Sequence, residues 1–163
     1  MKVLVKKINK NAKVPFKTYD EDFCYDCVAT SCEEIAPNVY KYGLGLAFEI
    51  DRHYELVVEG GDVWEKVVDI TNSEFVYSLD FRPRSSVWKT GMVLSNATGT
   101  VDELYRGEVS AVFYHVMPNM PKYEIGDKII QCKLGVTFPL EFKEVDILSE
   151  TARNTGGYGS TGR

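Results

Sequence analysis

The sequence predicts an all-β barrel or sandwich. Short segments of strand character recur along the 163 residues with turn residues between them. Ten Tyr, eight Phe and two Trp, with many Val, Ile and Thr, favour a pleated, half-buried surface. Helical periodicity is confined to brief stretches. This is the spacing of a barrel or sandwich, not of βαβ units.

In order, residues 1–7 alternate, as do 23–29. Residues 44–50 (LGLAFEI) follow a Gly-x-Gly break, and 74–81 read as another strand. Residues 109–116 (VSAVFYHV) and 128–136 (KIIQCKLGV) are apolar and β-branched. Turn residues fill 60–61, 96–99 and 117–121. One short helix is expected within 84–90 (RSSVWKT). In 60–70 a helical spacing of Val63, Trp64, Val67 and Val68 competes with a strand hairpin, and the sequence does not separate them.

The length suits one domain, here residues 1–149 with a tail at 150–163. A net charge of −5 argues against general nucleic-acid binding, which needs clustered Lys and Arg. The apolar run at 3–5 is too short for a signal-peptide core, and nothing approaches the roughly 20 apolar residues of a membrane span, so a cytoplasmic protein without membrane contact is expected. Cys24 and Cys27 form a C-x-x-C, but alternation points them to opposite faces and Cys132 stands far downstream. Reduced packing cysteines are expected, Cys32 included. His53 and His115 read as ordinary surface or packing residues.

The tail ETARNTGGYGSTGR has four glycines, three threonines and one aromatic. So little apolar surface cannot offset ordering entropy, and plain disorder is one reading. The other is a lid. Glycine amides and Ser or Thr hydroxyls can wrap phosphate oxygens, Arg153 adds a fixed charge, and Tyr158 offers a stacking face.

Five polar clusters remain: 22–30 (DFCYDCVAT), 82–87 (RPRSSV), 96–108 (NATGTVDELYRGE), 126–131 (GDKIIQ) and 153–162 (RNTGGYGSTG). In this order they resemble the five motifs of the trimeric deoxyuridine triphosphatase (dUTPase) family. The resemblance implies a jelly-roll-like barrel and a Mg2+-dependent homotrimer that cleaves dUTP to dUMP and pyrophosphate. That reaction keeps uracil out of DNA and supplies dUMP for thymidylate synthesis. It implies active sites shared between chains: motifs one, two and four from one, motif three from a second, the tail from a third.

The resemblance also implies roles. Asp102 activates the water that attacks the α-phosphorus. Tyr105 packs on the deoxyribose and excludes a 2′-hydroxyl. Asn96, with Gly99 and Val101 around it, frames the uracil. Arg84, Ser85, Ser86 and Gln131 serve the phosphates or the catalytic water. Asp26 stands in the outer shell of the metal, through water, since magnesium takes most direct ligands from substrate phosphates. Arg153 meets the γ-phosphate, Gly157, Gly159, Ser160 and Thr161 complete the cradle, and Tyr158 stacks where the family usually has Phe. Asn154 replaces a common Gly.

On the residues alone each has a second reading. Asp102 can stabilise a turn, Tyr105 can be a core aromatic, and 84–86 can be an N-cap with a surface Arg. Asp26 can be a buried structural Asp. Two rivals follow. A dCTP deaminase needs an acid close to Val112, and none lies in 109–116. A sensing module would bind without turnover. Residues 51–72 look like an insertion between motifs one and two, suited to a surface hairpin or helix, a trimer contact or a partner platform.

Overall fold

The computed structural model describes residues 2–52, 55–58, 66–69 and 75–156. The chain is nearly all strand. Its elements are β1 (Lys2–Lys7), β2 (Tyr25–Val28), β3 (Ser31–Ala36), β4 (Val39–Gly43), β5 (Leu46–Asp51), β6 (Glu55–Val58), β7 (Lys66–Asp69) and β8 (Val76–Pro83). A 3-10 helix (Ser85–Lys89) follows, then β9 (Met92–Leu94), β10 (Gly99–Asp102), β11 (Ser110–His115) and β12 (Lys128–Thr137). The short helix expected at 84–90 is therefore a five-residue 3-10 segment.

Two four-stranded sheets, β10-β8-β12-β2 and β3-β4-β11-β9, are accompanied by the two-stranded pairs β1-β5 and β6-β7. Every pairing is antiparallel. Alternation explains the core. Tyr77, Leu79 and Phe81 of β8 point inward, as do Ala111 and Phe113 of β11, while their neighbours face out. Tyr42, Phe113, Leu44, Leu46, Ile129 and Ile130 are the largest fully buried side chains. Tyr42 keeps its hydroxyl satisfied by donating to the Tyr123 carbonyl at 2.8 Å.

Within residues 51–72, β6 and β7 pair from Glu55 opposite Asp69 to Val58 opposite Lys66. The strand reading thus holds over 66–69, while Val63 and Trp64 of the helical spacing lie outside the described residues. Two cysteine expectations change. Cys132 is not isolated: β12 lies beside β2, and Cys27 and Cys132 are both buried there. The neighbouring Cys132 thiol, and then burial, push the Cys27 thiol up. Cys32 is exposed on β3 and is no packing residue, although all four cysteines are free.

Candidate active site

Two cavities gather most of the residues singled out above. The first, about 400 Å³, opens beside β2, β12 and the start of the 3-10 helix, with Asp26, Arg84, Ser85 and Gln131 in its wall. Antiparallel register sets Asp26 of β2 opposite Gln131 of β12, and Gln131 opposite Arg82 of β8. Pro83 ends β8 and the chain turns there, delivering Arg84 in an extended conformation (φ −78, ψ 155) at the helix start.

Asp26, with its side chain 12% exposed, is held by two cations. Arg84 donates to it at 2.7 Å through Nε and 3.4 Å through Nη2, and Lys128 Nζ lies 2.9 Å away. The structural reading of Asp26 is therefore met in part, since it organises two cations at a cavity wall. Asp22 also lines this cavity, so two carboxylates stand against two cations there, and Arg84 is the cation in the wall itself. Gln131 Nε2 donates to the Pro83 carbonyl at 3.1 Å, tying β12 to the bend that carries Arg84. No side chain caps the helix start, so the N-cap reading of 84–86 fails for Arg84.

Sequence reasoning missed Lys128. Strict alternation would put it on the opposite face from Gln131, three residues on. A register shift between Lys128 and Ile130 turns it to the Asp26 side. A basic residue inside motif four was the only visible signal.

The second cavity, about 260 Å³, has Asn96, Gly99, Val101, Asp102 and Tyr105 in its wall. Its loop is a crossing between sheets, because β9 pairs with β11 and β10 with β8. The crossing is made by a tight turn: Ala97 has φ 55, and the Thr98 amide donates to the Asn96 carbonyl. A Cβ on Gly99 would stand 3.3 Å from Asn96 Nδ2, so glycine keeps the asparagine's amide uncrowded.

Tyr105 is 48% exposed, which excludes the core-aromatic reading. Its hydroxyl donates to the Glu108 carbonyl at 3.1 Å, and its ring lies across Gly107, where a Cβ would meet Oη at 2.4 Å. Its amide donates to the Asp102 carbonyl at 3.0 Å, so Asp102 and Tyr105 share one turn. Asp102 itself is exposed at the end of β10, opposite Ser78.

The cavities have no residue in common. Ile130 lines the second and Gln131 the first, and consecutive strand residues point to opposite faces. Along β12 the two cavities thus part at Ile130 and Gln131, while at the edge strand β10 the second takes residues from both faces. Ser86 lines neither. Arg153 lies in neither, and its Nε donates to the Gly156 carbonyl at 2.9 Å in an exposed turn. Asn154 takes φ 40, the left-handed conformation anticipated for it. Gly157, Tyr158, Gly159, Ser160 and Thr161 lie outside the described residues, as does His53.

No family model matches the chain. Among curated proteins it is 31% identical to the deoxyuridine 5′-triphosphate nucleotidohydrolase of Nautilia profundicola, covering 100% of both chains. It is 30% identical to that of Helicobacter pylori strain 26695, over 99% of this chain and 97% of the relative. The Clostridium novyi enzyme is 31% identical, over 99% of each. The chain belongs to the dUTPase family. As a dUTPase it hydrolyses dUTP to dUMP and pyrophosphate. Solved dUTPases share the fold. The Staphylococcus bacteriophage 80alpha enzyme with dUPNHPP superposes with a TM-score of 0.67 at 20% identity, covering 99% of both chains. The phage phi11 dUTPase gives 0.62 at 17% identity, over 93% of this chain and 100% of that one.

Proposed function

We propose that this dUTPase works as a homotrimer whose active sites each combine the Asp26 cavity of one chain with the Asp102 cavity of a second and the 150–163 tail of a third. The separation of the two cavities, which share no lining residue, carries the proposal. A neighbouring chain that brings the complementary cavity completes a site that neither cavity forms alone. Six large apolar side chains along 138–148, from Phe138 to Leu148, are exposed, and Phe142 is 91% so. Such a run needs covering, and a second copy is the natural cover.

In this reading uracil enters the 260 Å³ cavity, framed by Asn96, Gly99 and Val101. A tight turn rich in backbone donors and acceptors reads the uracil edge, and such buried patterns discriminate strongly. Tyr105, preset across Gly107, packs on the deoxyribose and leaves no space for a 2′-hydroxyl. The triphosphate lies against the partner cavity, where Arg84, Ser85 and Gln131 supply donors, with Ser86 next in the chain just outside the wall.

Asp102 accepts a proton from water. The water oxygen bonds to the α-phosphorus, the bond from that phosphorus to the oxygen bridging to the β-phosphate breaks, and pyrophosphate leaves. The tail, with Arg153, Gly157, Tyr158, Gly159, Ser160 and Thr161, closes over the nucleotide and excludes bulk water.

For Mg2+ the donor set decides. Among the described residues there is no group of three or more His, Cys, Asp or Glu that could hold a metal ion. Asp26 already faces two cations. These residues fit an ion carried on the triphosphate, with Asp26 touching it through water. A phage phi11 dUTPase structure describes a structural Mg(II) ion. When bound with substrate, such an ion neutralises phosphate charge. A cytoplasmic location suits four free cysteines, and no helix among the described residues is long and apolar enough to cross a membrane.

Pyrophosphate release tests the residue roles. With Mg2+, dUTP should be turned over far faster than dTTP, dCTP or UTP. Asp102→Asn should lower kcat by about 10²–10⁴-fold while still binding a non-hydrolysable dUTP analogue. Wild-type turnover in that variant would remove Asp102 from the chemistry.

A further inference from the structure

Beside the second cavity, outside its wall, lies an ion pair that none of the roles above uses. Arg52 follows β5 directly, and Glu103 follows Asp102 directly. The Arg52 guanidinium donates through Nε and Nη2 to the two carboxylate oxygens of Glu103, a two-pronged contact that fixes orientation as well as distance. The pair is mostly shielded, with side chains 33% and 14% exposed. The guanidinium also sits over the Tyr77 ring, 5.4 Å from its centroid. Tyr77 is buried on β8 beside Ser78, the residue across the ladder from Asp102.

The other end of the same turn is tied to the same strand. Arg106 Nε lies 3.6 Å from Glu49 Oε2 on β5, and Arg106 Nη1 donates back to the Glu103 and Tyr105 carbonyls. The turn 102–106 is thus gripped at both ends by β5, a strand that pairs with β1 and not with β8 or β10. Asp102 is exposed and sits on the last residue of a four-residue edge strand, so its own ladder constrains it weakly.

We propose that Arg52 is a positioning residue for Asp102: its two-pronged contact with Glu103 holds the 102–106 turn so that the Asp102 carboxylate meets the water in line with the α-phosphorus. The inference rests on the role given to Asp102 above. Arg52 touches neither cavity, so it acts only through Glu103. Hydrogen bonds from Arg52 hold the Glu103 carboxyl below its usual range, which keeps the pair charged at neutral pH. Gly99 starts β10 and Asn96 precedes it, at the end away from the pair. Tyr105, though within the turn, keeps its own tether in the hydroxyl bond to the Glu108 carbonyl. Losing the pair should therefore displace the carboxylate and leave uracil and sugar binding largely intact.

The test is steady-state turnover of dUTP by the full-length protein carrying Arg52→Ala, Arg52→Lys, Glu103→Gln, the exchanged pair Arg52→Glu with Glu103→Arg, or Asp102→Asn. Thermal melts and sedimentation run alongside. Arg52→Ala and Glu103→Gln should lose about 10- to 100-fold in kcat, the scale of a sub-ångström to 1 Å misplacement, with KM within about twofold of wild type. Arg52→Lys keeps the charge but not the fork and should fall between. The exchanged pair should recover most of the loss. A merely structural role would lower the melting temperature and move kcat and KM together, and that pattern overturns the proposal. Wild-type kcat in Arg52→Lys and Arg52→Ala beside an inactive Asp102→Asn overturns this inference alone. Turnover surviving in Asp102→Asn overturns the Asp102 role and this inference with it.

Discussion

Gly107 shows how much of the site is decided by one missing side chain. A Cβ there would lie 2.4 Å from Tyr105 Oη and 2.6 Å from Cζ, so the ring rests on bare backbone. Gly107→Ala should push the ring off its seat while β10 and β11 stay in place. The expected outcome is a KM for dUTP raised several-fold and a smaller gap between dUTP and UTP, about tenfold narrower at most. Kinetics on the two nucleotides would check it, and an unchanged gap would detach Tyr105 from sugar selection. At this scale the sequence was legible where chemistry sits in short runs. Asp102, Tyr105, Asn96 and Gly99 fall within ten residues and line one cavity. It was silent where the partner is distant. Nothing local announces that Arg52 reaches Glu103, or that a register shift turns Lys128 toward Asp26.

Among the elements, β12 carries the most. It lies between β8 and β2, points Ile130 into the core and presents Gln131 to the phosphate-side cavity. Ile130 is 1% exposed, so Ile130→Ala should cost about 2–5 kcal/mol, readable as a lowered urea midpoint. Gln131→Leu should lower that midpoint much less, costing about 1 kcal/mol for the lost bond to the Pro83 carbonyl, and reduce turnover, because Gln131 stands at the cavity wall. Most strands with apolar runs or alternation were readable, since β1, β2, β5, β8, β11 and β12 fall where expected, but β4 alternates across Tyr40, Lys41 and Tyr42 and was missed. β3 was not readable, since its six residues are all exposed and show no alternation of burial. The three-residue β9 and four-residue β10 are too short for periodicity to register. In β7, two adjacent valines fit a helical stripe and a strand equally well, and pairing with β6 decides the matter.

At the scale of the whole molecule, two features await other chains: two cavities with no residue in common and the exposed apolar run at 138–148. Sedimentation should give three times the monomer mass. Removing 150–163 should leave the melting temperature within a few degrees, because every described residue of that tail except Gly156 is exposed, and should abolish turnover. The sequence could foreshadow this arrangement only through resemblance, since contacts between chains leave no periodic trace within one.

The most direct test of the shared site mixes two inactive enzymes. Asp102→Asn chains keep the phosphate-side residues, and Arg84→Ala chains keep Asp102. Each homotrimer should be nearly silent on dUTP. After unfolding and refolding together in equal amounts, about a quarter of the sites should draw an intact residue from each of two neighbours, and pyrophosphate release should return to roughly that fraction of wild type. No recovery from mixed trimers that demonstrably contain both chains would contradict the account, because the two residues would then have to act from one chain.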